Sequence, residues 1–402
     1  MHFFVYNMGM LIVARALVGV AGGASTVLTP MYLGEISPLA IRGSIGTMTQ
    51  VSVVFGILAS ILLALPYATE SEWRLIFLPI PAIGLLQIFP GAFFLPESPR
   101  WLRLKGRELE ARATLDRFSG TISTLGVNES EADNGSGMEM IPGDGSTSPE
   151  RFADEEDEPE ASENEEQSPS VAEQKPFRDF FLDPRNRIPI ISSLIFPIAQ
   201  QLSGVNAVFY YSNMFFEGVI DDPIIGTLAA FAINVLATLF ALPLVDRVGR
   251  KTLLCWSAGG MFVCCILLTL ALLEILPNSM AVVAVLIYIS FFELGLGSIP
   301  FFLVSELIDP EYFGRMQSLA MTINWLCNFL VGMCFPFMVK HLGSFSFVPF
   351  AAALLVAFVY AIVWLPETRG KSLDEVMADI ERRRTGGRQA VALSPNEDVT
   401  FV

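Results

Sequence analysis

The feature that most constrains this chain is a series of apolar runs, separated by short polar connections. Each run is about 20 residues long, enough for a helix to cross the hydrocarbon core of a bilayer while satisfying its own backbone hydrogen bonds. The composition agrees, with 52% hydrophobic residues, 16% charged residues and a mean hydropathy of +0.53. The sequence therefore predicts an all-α polytopic membrane protein.

The apolar runs predict nine membrane spans, which fixes the two chain ends on opposite sides. The spans cover residues 4–31, 45–66, 74–95, 188–212, 224–245, 253–276, 280–305, 317–339 and 344–365. One set of connections is rich in Arg and Lys, whereas the alternate set holds only Lys340. By the positive-inside rule the basic set is cytoplasmic, so we expect the N-terminus outside and the C-terminus in the cytoplasm.

The connection between the third and fourth spans is long and changes in character. Residues 100–118 are basic and amphipathic, and they predict a short helix along the cytoplasmic face. Residues 119–175 are rich in Gly, Ser, Pro, Asp and Glu, which predicts a disordered linker. Within it, residues 129–173 hold 16 acidic residues and one basic residue, so they account for −15 of the formal net charge of −16. The rest of the chain is near neutral.

An internal repeat divides the chain into two parts. GEISPLAIRG is followed by PESPR, and SELIDPEYFGR is followed by PETRG; Glu35 precedes Pro96 by 61 residues, and Glu306 precedes Pro366 by 60. The repeat predicts a duplicated six-span unit, of which the first copy holds three spans here. The predicted domains are an incomplete N-terminal transmembrane half (1–99), a cytoplasmic linker (100–187), a C-terminal transmembrane half (188–367) and a cytoplasmic tail (368–402).

Residues typical of catalysis or metal binding are few. The five cysteines lack CxxC spacing and are interpreted as packing residues. The two histidines, His2 and His341, belong to no Ser/His/Asp or metal-ligating pattern at membrane depth. We therefore expect no enzyme activity, no cofactor, no metal and no nucleic-acid partner.

The stretch QQLSGVNAVFYY, residues 200–211, places polar groups inside an apolar run. Gln200, Gln201 and Asn206 are costly at membrane depth unless a polar group meets them. Neutral amides suit a hexose because they offer donors and acceptors without a buried charge, and aromatic rings cover the apolar face of the sugar. Gly204 lets the span bend, which brings Asn206 toward the same cavity. We interpret the stretch as a sugar site.

Several motifs together resemble the sugar porter family of the major facilitator superfamily, close to its GLUT-type facilitative hexose transporters. They are GEISPLAIRG (34–43), PESPRWL (96–102), QQLSGVNAVFYY (200–211), DRVGRK (246–251), NWLCNF (324–329) and PETRGKSLDE (366–375). The resemblance covers nearly everything except the acidic linker and the last dozen or so residues. It implies a major facilitator fold, here without the first three of its twelve transmembrane helices.

The resemblance also implies which residues contact the sugar. They are Gln50, Gln200, Gln201, Asn206, Phe209, Tyr210, Asn234, Phe292, Glu293, Asn324, Trp325 and Asn328. A single Asn or Gln serves equally well as an interhelical hydrogen bond, and Glu293 equally well as a structural partner of a broken helix. The chain departs from the family at Phe301, where a Trp is usual, and at residues 197–199, where glucose-preferring members often have Gln-Leu-Ser.

Charged residues of the cytoplasmic loops suggest a latch between the halves. Pairs formed across the seam would break when the inside opens, although such charges also serve simply to set the topology. By resemblance, Arg15 lies where the family has an Arg that faces the first span. The gating residues predicted in this way are Arg15, Glu35, Arg42, Arg100, Asp246, Arg250 and Glu306.

The sequence thus predicts transport of a monosaccharide by alternating access, either facilitative or proton-coupled, in the plasma membrane. The expected partners are a hexose, the lipid bilayer and, in the coupled case, protons. The alternative is a truncated product that does not transport, or a sugar sensor that signals through the acidic linker. With nine spans the central cavity would lack one wall, so weak or no hexose uptake is expected of the chain as given.

Overall fold

The computed structural model describes residues 7–37, 41–67, 69, 72–124, 177–210 and 223–384, and in them all regular structure is helical. The α-helices are α1 (Met8–Ile36), α2 (Arg42–Ala64), α3 (Pro79–Phe94), α4 (Pro99–Leu104), α5 (Glu108–Thr124), α6 (Phe177–Leu182), α7 (Arg187–Leu202), α8 (Val205–Tyr210), α9 (Pro223–Val248), α10 (Arg250–Leu272), α11 (Asn278–Leu294), α12 (Ile299–Leu307), α13 (Pro310–Leu342), α14 (Val348–Val363) and α15 (Leu373–Arg384). The all-α prediction is confirmed.

Eight helical segments of the described residues are long and apolar enough to cross a membrane, and they match the first eight predicted spans. The ninth predicted span, 344–365, corresponds to α14, which has only 16 residues. Such a helix rises about 24 Å, less than the ~30 Å hydrocarbon core. A 3-10 turn, Gly343–Phe345, precedes it and Pro366 follows soon after it. These neighbours limit α14 to a shorter helix than the prediction.

Two predicted boundaries are corrected by local capping and turn chemistry. The predicted span at 317–339 lies in α13, which already begins at Pro310 because Asp309 caps it, accepting a hydrogen bond from the Glu311 amide at 2.9 Å. The single helix predicted at 100–118 is two helices, α4 and α5, separated at Gly106, whose φ is +71°. Helix α5 extends to Thr124, whereas residues 125–176 of the predicted linker lie outside the described residues.

Gly204 breaks the fourth span between α7 and α8, as the sequence predicts. Its φ is +87°, a left-handed value that a residue with a Cβ rarely adopts. A Cβ at this position would also lie 2.5 Å from a ring carbon of Phe350 on α14. The break therefore needs glycine both for its backbone angle and for its contact with α14.

We expect Gly204→Ala to destabilise the protein by about 1 to 3 kcal/mol, because it combines a strained φ with an overpacked contact. Thermal unfolding of the detergent-purified protein measures this. Gly56→Ala is the matched control, because Gly56 lies within α2 and nothing would meet its Cβ within 4 Å. Equal melting temperatures for the two variants would contradict the prediction.

Helices α7 to α14, here called the second half, surround one continuous apolar core. Its fully buried side chains include Leu253 and Met261 of α10, Tyr288 of α11, Phe302 of α12 and Phe335 of α13. Helix α10 packs against α11 and α14, α9 packs against α11, and α7 packs against α13. Because this packing involves all the long helices of the half, the broken segments are held in place.

Helices α1 to α3, here called the first half, meet the second half through two of their members. Helix α1 packs against α12 and α13, and α2 packs against α9 and α12. Gly46 permits close approach of α2, since a Cβ there would lie 2.7 Å from the ring of Phe302. Helix α3 buries none of its side chains against the described chain. The contact between the halves is thus made by α1 and α2.

The C-terminal helix α15 is attached to the second half by its apolar face. Val376 and Ile380 are buried in the core, and the Arg383 guanidinium donates to the Leu365 carbonyl at 3.2 Å. Lys371 pairs with Asp379, and this hydrogen bond lowers the pKa of the Asp379 carboxyl below its usual value. The helix therefore covers the ends of the span helices.

Candidate functional site

Five of the predicted residues form one hydrogen-bonded cluster of amide side chains where α7, α8 and α13 meet. Asn324 donates to Gln200 at 2.7 Å, and Gln201 donates to Asn324 at 3.1 Å. Asn206 and Asn328 donate to Gln201 at 2.6 Å and 2.9 Å. Asn206 reaches the cluster because the break at Gly204 redirects the chain after α7. We refer to these five residues as the amide cluster.

The amide cluster also contacts backbone carbonyls that helix irregularities leave available. The Gln200 amide donates to the carbonyls of Leu296 and Gly297 at 2.8 Å and 3.0 Å. These carbonyls lie between α11 and α12, where Pro300 has no N–H with which to continue a helical hydrogen bond to Leu296. Asn324 also donates to the Pro197 carbonyl of α7 at 2.8 Å. Amide side chains thus satisfy the hydrogen bonds of backbone carbonyls at membrane depth. These amides therefore stabilise the fold, and the same groups can also recognise a ligand.

The predicted aromatic residues lie in different environments around the cluster. Phe292 is buried, and Phe209 stacks on Phe231 with ring centroids 4.7 Å apart. Tyr210 and Trp325 keep 57% and 46% of their surface exposed, so their rings are available for contact. The Tyr210 hydroxyl donates to Asn328 at 3.3 Å. The two exposed rings form an accessible aromatic edge beside the amides.

Trp325 connects this edge to the first half. Its indole N–H donates to the Thr26 hydroxyl of α1 at 3.2 Å. The Thr26 hydroxyl in turn donates to the Gly23 carbonyl at 2.9 Å. Motion of α1 relative to α13 would therefore alter the surroundings of the Trp325 ring.

The other three predicted polar residues form a second cluster around Glu293, which is fully buried. Gln50 of α2 donates to both carboxylate oxygens at 3.1 Å, and Asn234 of α9 donates to one of them at 2.9 Å. The Thr238 hydroxyl lies beside the carboxylate but donates to the Asn234 carbonyl of its own helix at 2.7 Å. The sequence analysis missed Thr238, although it follows Asn234 by four residues and so lies on the same helix face.

The segment between α11 and α12 lies between the two clusters. A Cβ on Gly297 would lie 2.6 Å from a Glu293 carboxylate oxygen, while the Gly297 carbonyl accepts from Gln200. The Leu296 amide donates to the Ser257 hydroxyl at 3.1 Å, a contact that sequence reasoning also missed. A shift of this broken helix would thus disturb both clusters together.

Together the two clusters offer amide donors and acceptors, a hydroxyl, one carboxylate and exposed aromatic rings. That set suits a ligand with several hydroxyl groups and an apolar face. Within the described part of the chain no group of His, Cys, Asp and Glu is arranged to hold a metal ion.

A separate network of charges lies near the ends of α9, α10 and α12. Arg250 is only 2% exposed; its guanidinium pairs with Glu306 at 2.8 Å and with Asp246 at 3.2 Å. Glu306 also accepts from the Thr368 hydroxyl at 2.5 Å. Glu367 accepts from the backbone amide of Arg250 at 2.8 Å. Because every member of this ion-pair network belongs to the second half or its tail, the network fixes loops within one half.

Near this network of charges, the two halves are joined by hydrogen bonds and by a close approach of α2 to α9. The Ser44 amide of α2 donates to Asp246 at 2.8 Å, and the Ser44 hydroxyl hydrogen-bonds to the same carboxylate. A Cβ on Gly43 would lie 2.3 Å from Asp246 and 2.5 Å from Arg250. The ion pairs of Arg250 with Asp246 and Glu306 each join residues of the second half. Near the ion-pair network the halves are thus joined through Ser44 and Asp246.

The remaining predicted gating residues lie in the first half. Ser98 donates to Glu35, and Arg42 donates to the Ser37 carbonyl at 3.5 Å. The Arg15 guanidinium lies over the Phe77 ring, 5.8 Å from its centroid. The backbone of Arg100 is in α4, whereas its side chain lies outside the described residues. Across the seam, the Arg42 guanidinium interacts electrostatically with Glu306 and Arg250 of the second half.

Comparison with known proteins places the chain among transporters. The family model "Sugar (and other) transporter" matches residues 1–379. The chain is 36% identical to the rabbit (Oryctolagus cuniculus) solute carrier family 2, facilitated glucose transporter member 3, over 92% of this chain and 70% of that protein. It is 33% identical to the chicken (Gallus gallus) facilitated glucose transporter member 1, over 96% and 74%.

Solved structures support the same fold. The proton:xylose symporter XylE, bound to 6-bromo-6-deoxy-D-glucose, superposes with a TM-score of 0.67 at 25% identity. That match covers 88% of this chain and 70% of the symporter. A partially occluded inward-open form of XylE from E. coli gives a TM-score of 0.57, covering 87% and 69%.

Proposed function

Because this chain belongs to the sugar transporter family of the major facilitator superfamily, we propose that its substrate is a hexose. It is a multi-pass membrane protein that transports sugar by alternating access, and its relatives are transporters and not enzymes. The comparisons favour this function over a non-transporting product or a sensor. What we propose beyond the family's function is the substrate class, a hexose.

The observation that carries the proposal is the amide cluster beside the broken helix. Its five amides bond to one another and to free backbone carbonyls, so a sugar can exchange those bonds for its own hydroxyl bonds with little net cost. Relatives named as glucose transporters, and a symporter solved with a glucose derivative, support a six-carbon sugar. The proposed sugar contacts are Gln50, Gln200, Gln201, Asn206, Phe209, Tyr210, Asn234, Phe292, Glu293, Asn324, Trp325 and Asn328.

The proposed cycle moves the two transmembrane halves, residues 1–99 and 188–367, against each other in the plasma membrane. In the proposed orientation the N-terminus is outside, so the network around Arg250 faces the cytoplasm and the Ser44–Asp246 contact closes that side. The proposed gating residues are Arg15, Glu35, Arg42, Arg100, Asp246, Arg250 and Glu306. Opening toward the cytoplasm would break the Ser44 contact and leave the ion pairs within the second half intact.

We propose that the hexose concentration gradient drives transport, without obligatory coupling to protons. Relatives at 33–36% identity are named facilitated transporters, whereas the proton-coupled neighbour is 25% identical. In proteoliposomes, an imposed pH gradient is therefore expected to leave the final internal hexose concentration equal to the external one. Accumulation above the external concentration would contradict this part of the proposal.

Saturable uptake of radiolabelled D-glucose or D-fructose into proteoliposomes that contain the chain tests the proposal as a whole. L-glucose is the matched control, because it has the same composition and polarity but the opposite hand. The comparisons favour transport, so we expect uptake of a D-hexose well above that of L-glucose, in place of the weak or absent uptake predicted from the sequence. Binding of a D-hexose without uptake would overturn transport and favour the sensor alternative.

A further inference from the structure

Glu293 is a carboxylate whose acceptor capacity is used by hydrogen bonds from both halves. Asn234 of α9 donates to it within the second half, whereas Gln50 reaches both of its oxygens from α2 of the first half. Since Glu293 is fully buried, water does not compete for these bonds. The Gln50 bond is therefore a direct tie between the halves.

The groups that face Glu293 are uncharged. They are Gln50 from α2, Asn234 and Thr238 from α9, and the backbone at Gly297 from the segment before α12. The nearby Tyr288 hydroxyl, on the same helix, is directed to the Ser203 carbonyl instead. No Lys, Arg or His among the described residues lies within ion-pair distance of the carboxylate. The charge of Glu293 is thus balanced by hydrogen bonds alone.

Protonation would change the tie between the halves. An ionised carboxylate only accepts hydrogen bonds, whereas a protonated one donates from the oxygen that carries the proton. That oxygen would then be a much weaker acceptor for the Gln50 amide, and the bond to the other oxygen would lose its charge assistance. The only chemical change is the transfer of one proton from water to one oxygen of the Glu293 carboxylate.

We propose that Glu293 is a proton-binding site whose charge sets the strength of the Gln50 bond and hence the ease with which the halves separate. The inference rests on the proposed function only because alternating access requires that separation. Here the proton shifts a conformational equilibrium and is not the driving ion. Transport becomes sensitive to pH at a position deep between the halves.

Distance measurements between spin labels on the two halves, made without sugar, test the proposal. Labels replace the exposed side chains of Arg103 in α4, which packs against α1 of the first half, and of Glu311 in α13, in a variant without native cysteines. Acidification from about pH 8.5 to about pH 4.5, a range in which buried carboxyl groups titrate because burial disfavours their charged form, should enlarge the separated population. The expected change is up to about tenfold, equivalent to 1.4 kcal/mol.

Two variants make the result specific. Glu293→Gln cannot ionise, so it should give one distribution at both pH values, similar to that of the acidified parent. Gln50→Leu keeps the carboxylate but removes the tie, so its separated population should be large at both pH values. Glu72→Gln, an exposed acid in the first half, is the matched control and should keep the parent's response.

If the distances between the labels in the parent protein did not change with pH, the proposed proton site would be wrong. It would also be wrong if the Glu293→Gln variant still responded to pH. Either result could coincide with normal hexose uptake, in which case the proposed function stands. Absent uptake with an intact pH response would reject the proposed function and keep the proton site. Because the distance test uses no sugar, the two failures are separable.

Discussion

Alanine in place of Gln200 is expected to weaken D-hexose binding about 10- to 100-fold, the range expected when two or three buried hydrogen bonds are lost. Gln200 donates to the Leu296 and Gly297 carbonyls and accepts from Asn324. Alanine removes the donor and acceptor that a sugar hydroxyl would use. It also leaves two carbonyls and one amide without their partner at membrane depth.

The measurement is equilibrium binding of labelled D-hexose to the purified protein, with uptake as a second readout. Gln317→Ala is the matched control: Gln317 is also a fully buried glutamine of the second half, and it donates to the Phe301 carbonyl at 3.0 Å. Its loss should lower stability by a similar mechanism while leaving hexose affinity within about twofold of the parent. Equal affinity losses in the two variants would show that Gln200 acts through folding and not through sugar contact.

The sequence was sufficient to predict the helices, the break at Gly204 and the residues of the amide cluster. The alternation of apolar runs with basic loops indicates which segments insert into the membrane, and a glycine beside polar residues indicates a bend in the helix. It was not sufficient to separate Gln50, Asn234 and Glu293 into a cluster of their own. That separation depends on how α2, α9 and α11 pack, and spacing along one chain does not encode distances between helices.

The charged loops show the same limit. Their residues predict a latch across the seam, yet Arg250 pairs with Glu306 and Asp246 within the second half. At the seam, Gly43 has no Cβ, so α2 approaches α9 so closely that the Ser44 amide itself reaches Asp246. A sequence motif identifies the charged residues, whereas the close approach of two helix backbones determines which of those residues contact each other.

Replacing Arg250 with methionine is expected to lower the free energy of unfolding by about 3 to 5 kcal/mol, because it leaves the buried Glu306 carboxylate without a cation. Arg250 also donates to the Val245 carbonyl at 3.2 Å, and that acceptor would lose its partner as well. Thermal unfolding of the purified protein, with surface expression in parallel, measures the effect. Adding Glu306→Gln removes the uncompensated charge, so the double variant should recover part of the lost stability.

Arg107→Met is the matched control, because Arg107 pairs with Glu110 at 2.6 Å but both side chains are about half exposed. Water screens and replaces that pair, so its loss should leave the melting temperature unchanged within error. Identical stability of Arg250→Met and Arg107→Met would contradict a structural role for the buried network. A large loss that Glu306→Gln partly restores would instead show that the second half depends on this network before any gating begins. Gating would then involve the Ser44–Asp246 contact, which can break without unpairing a buried charge.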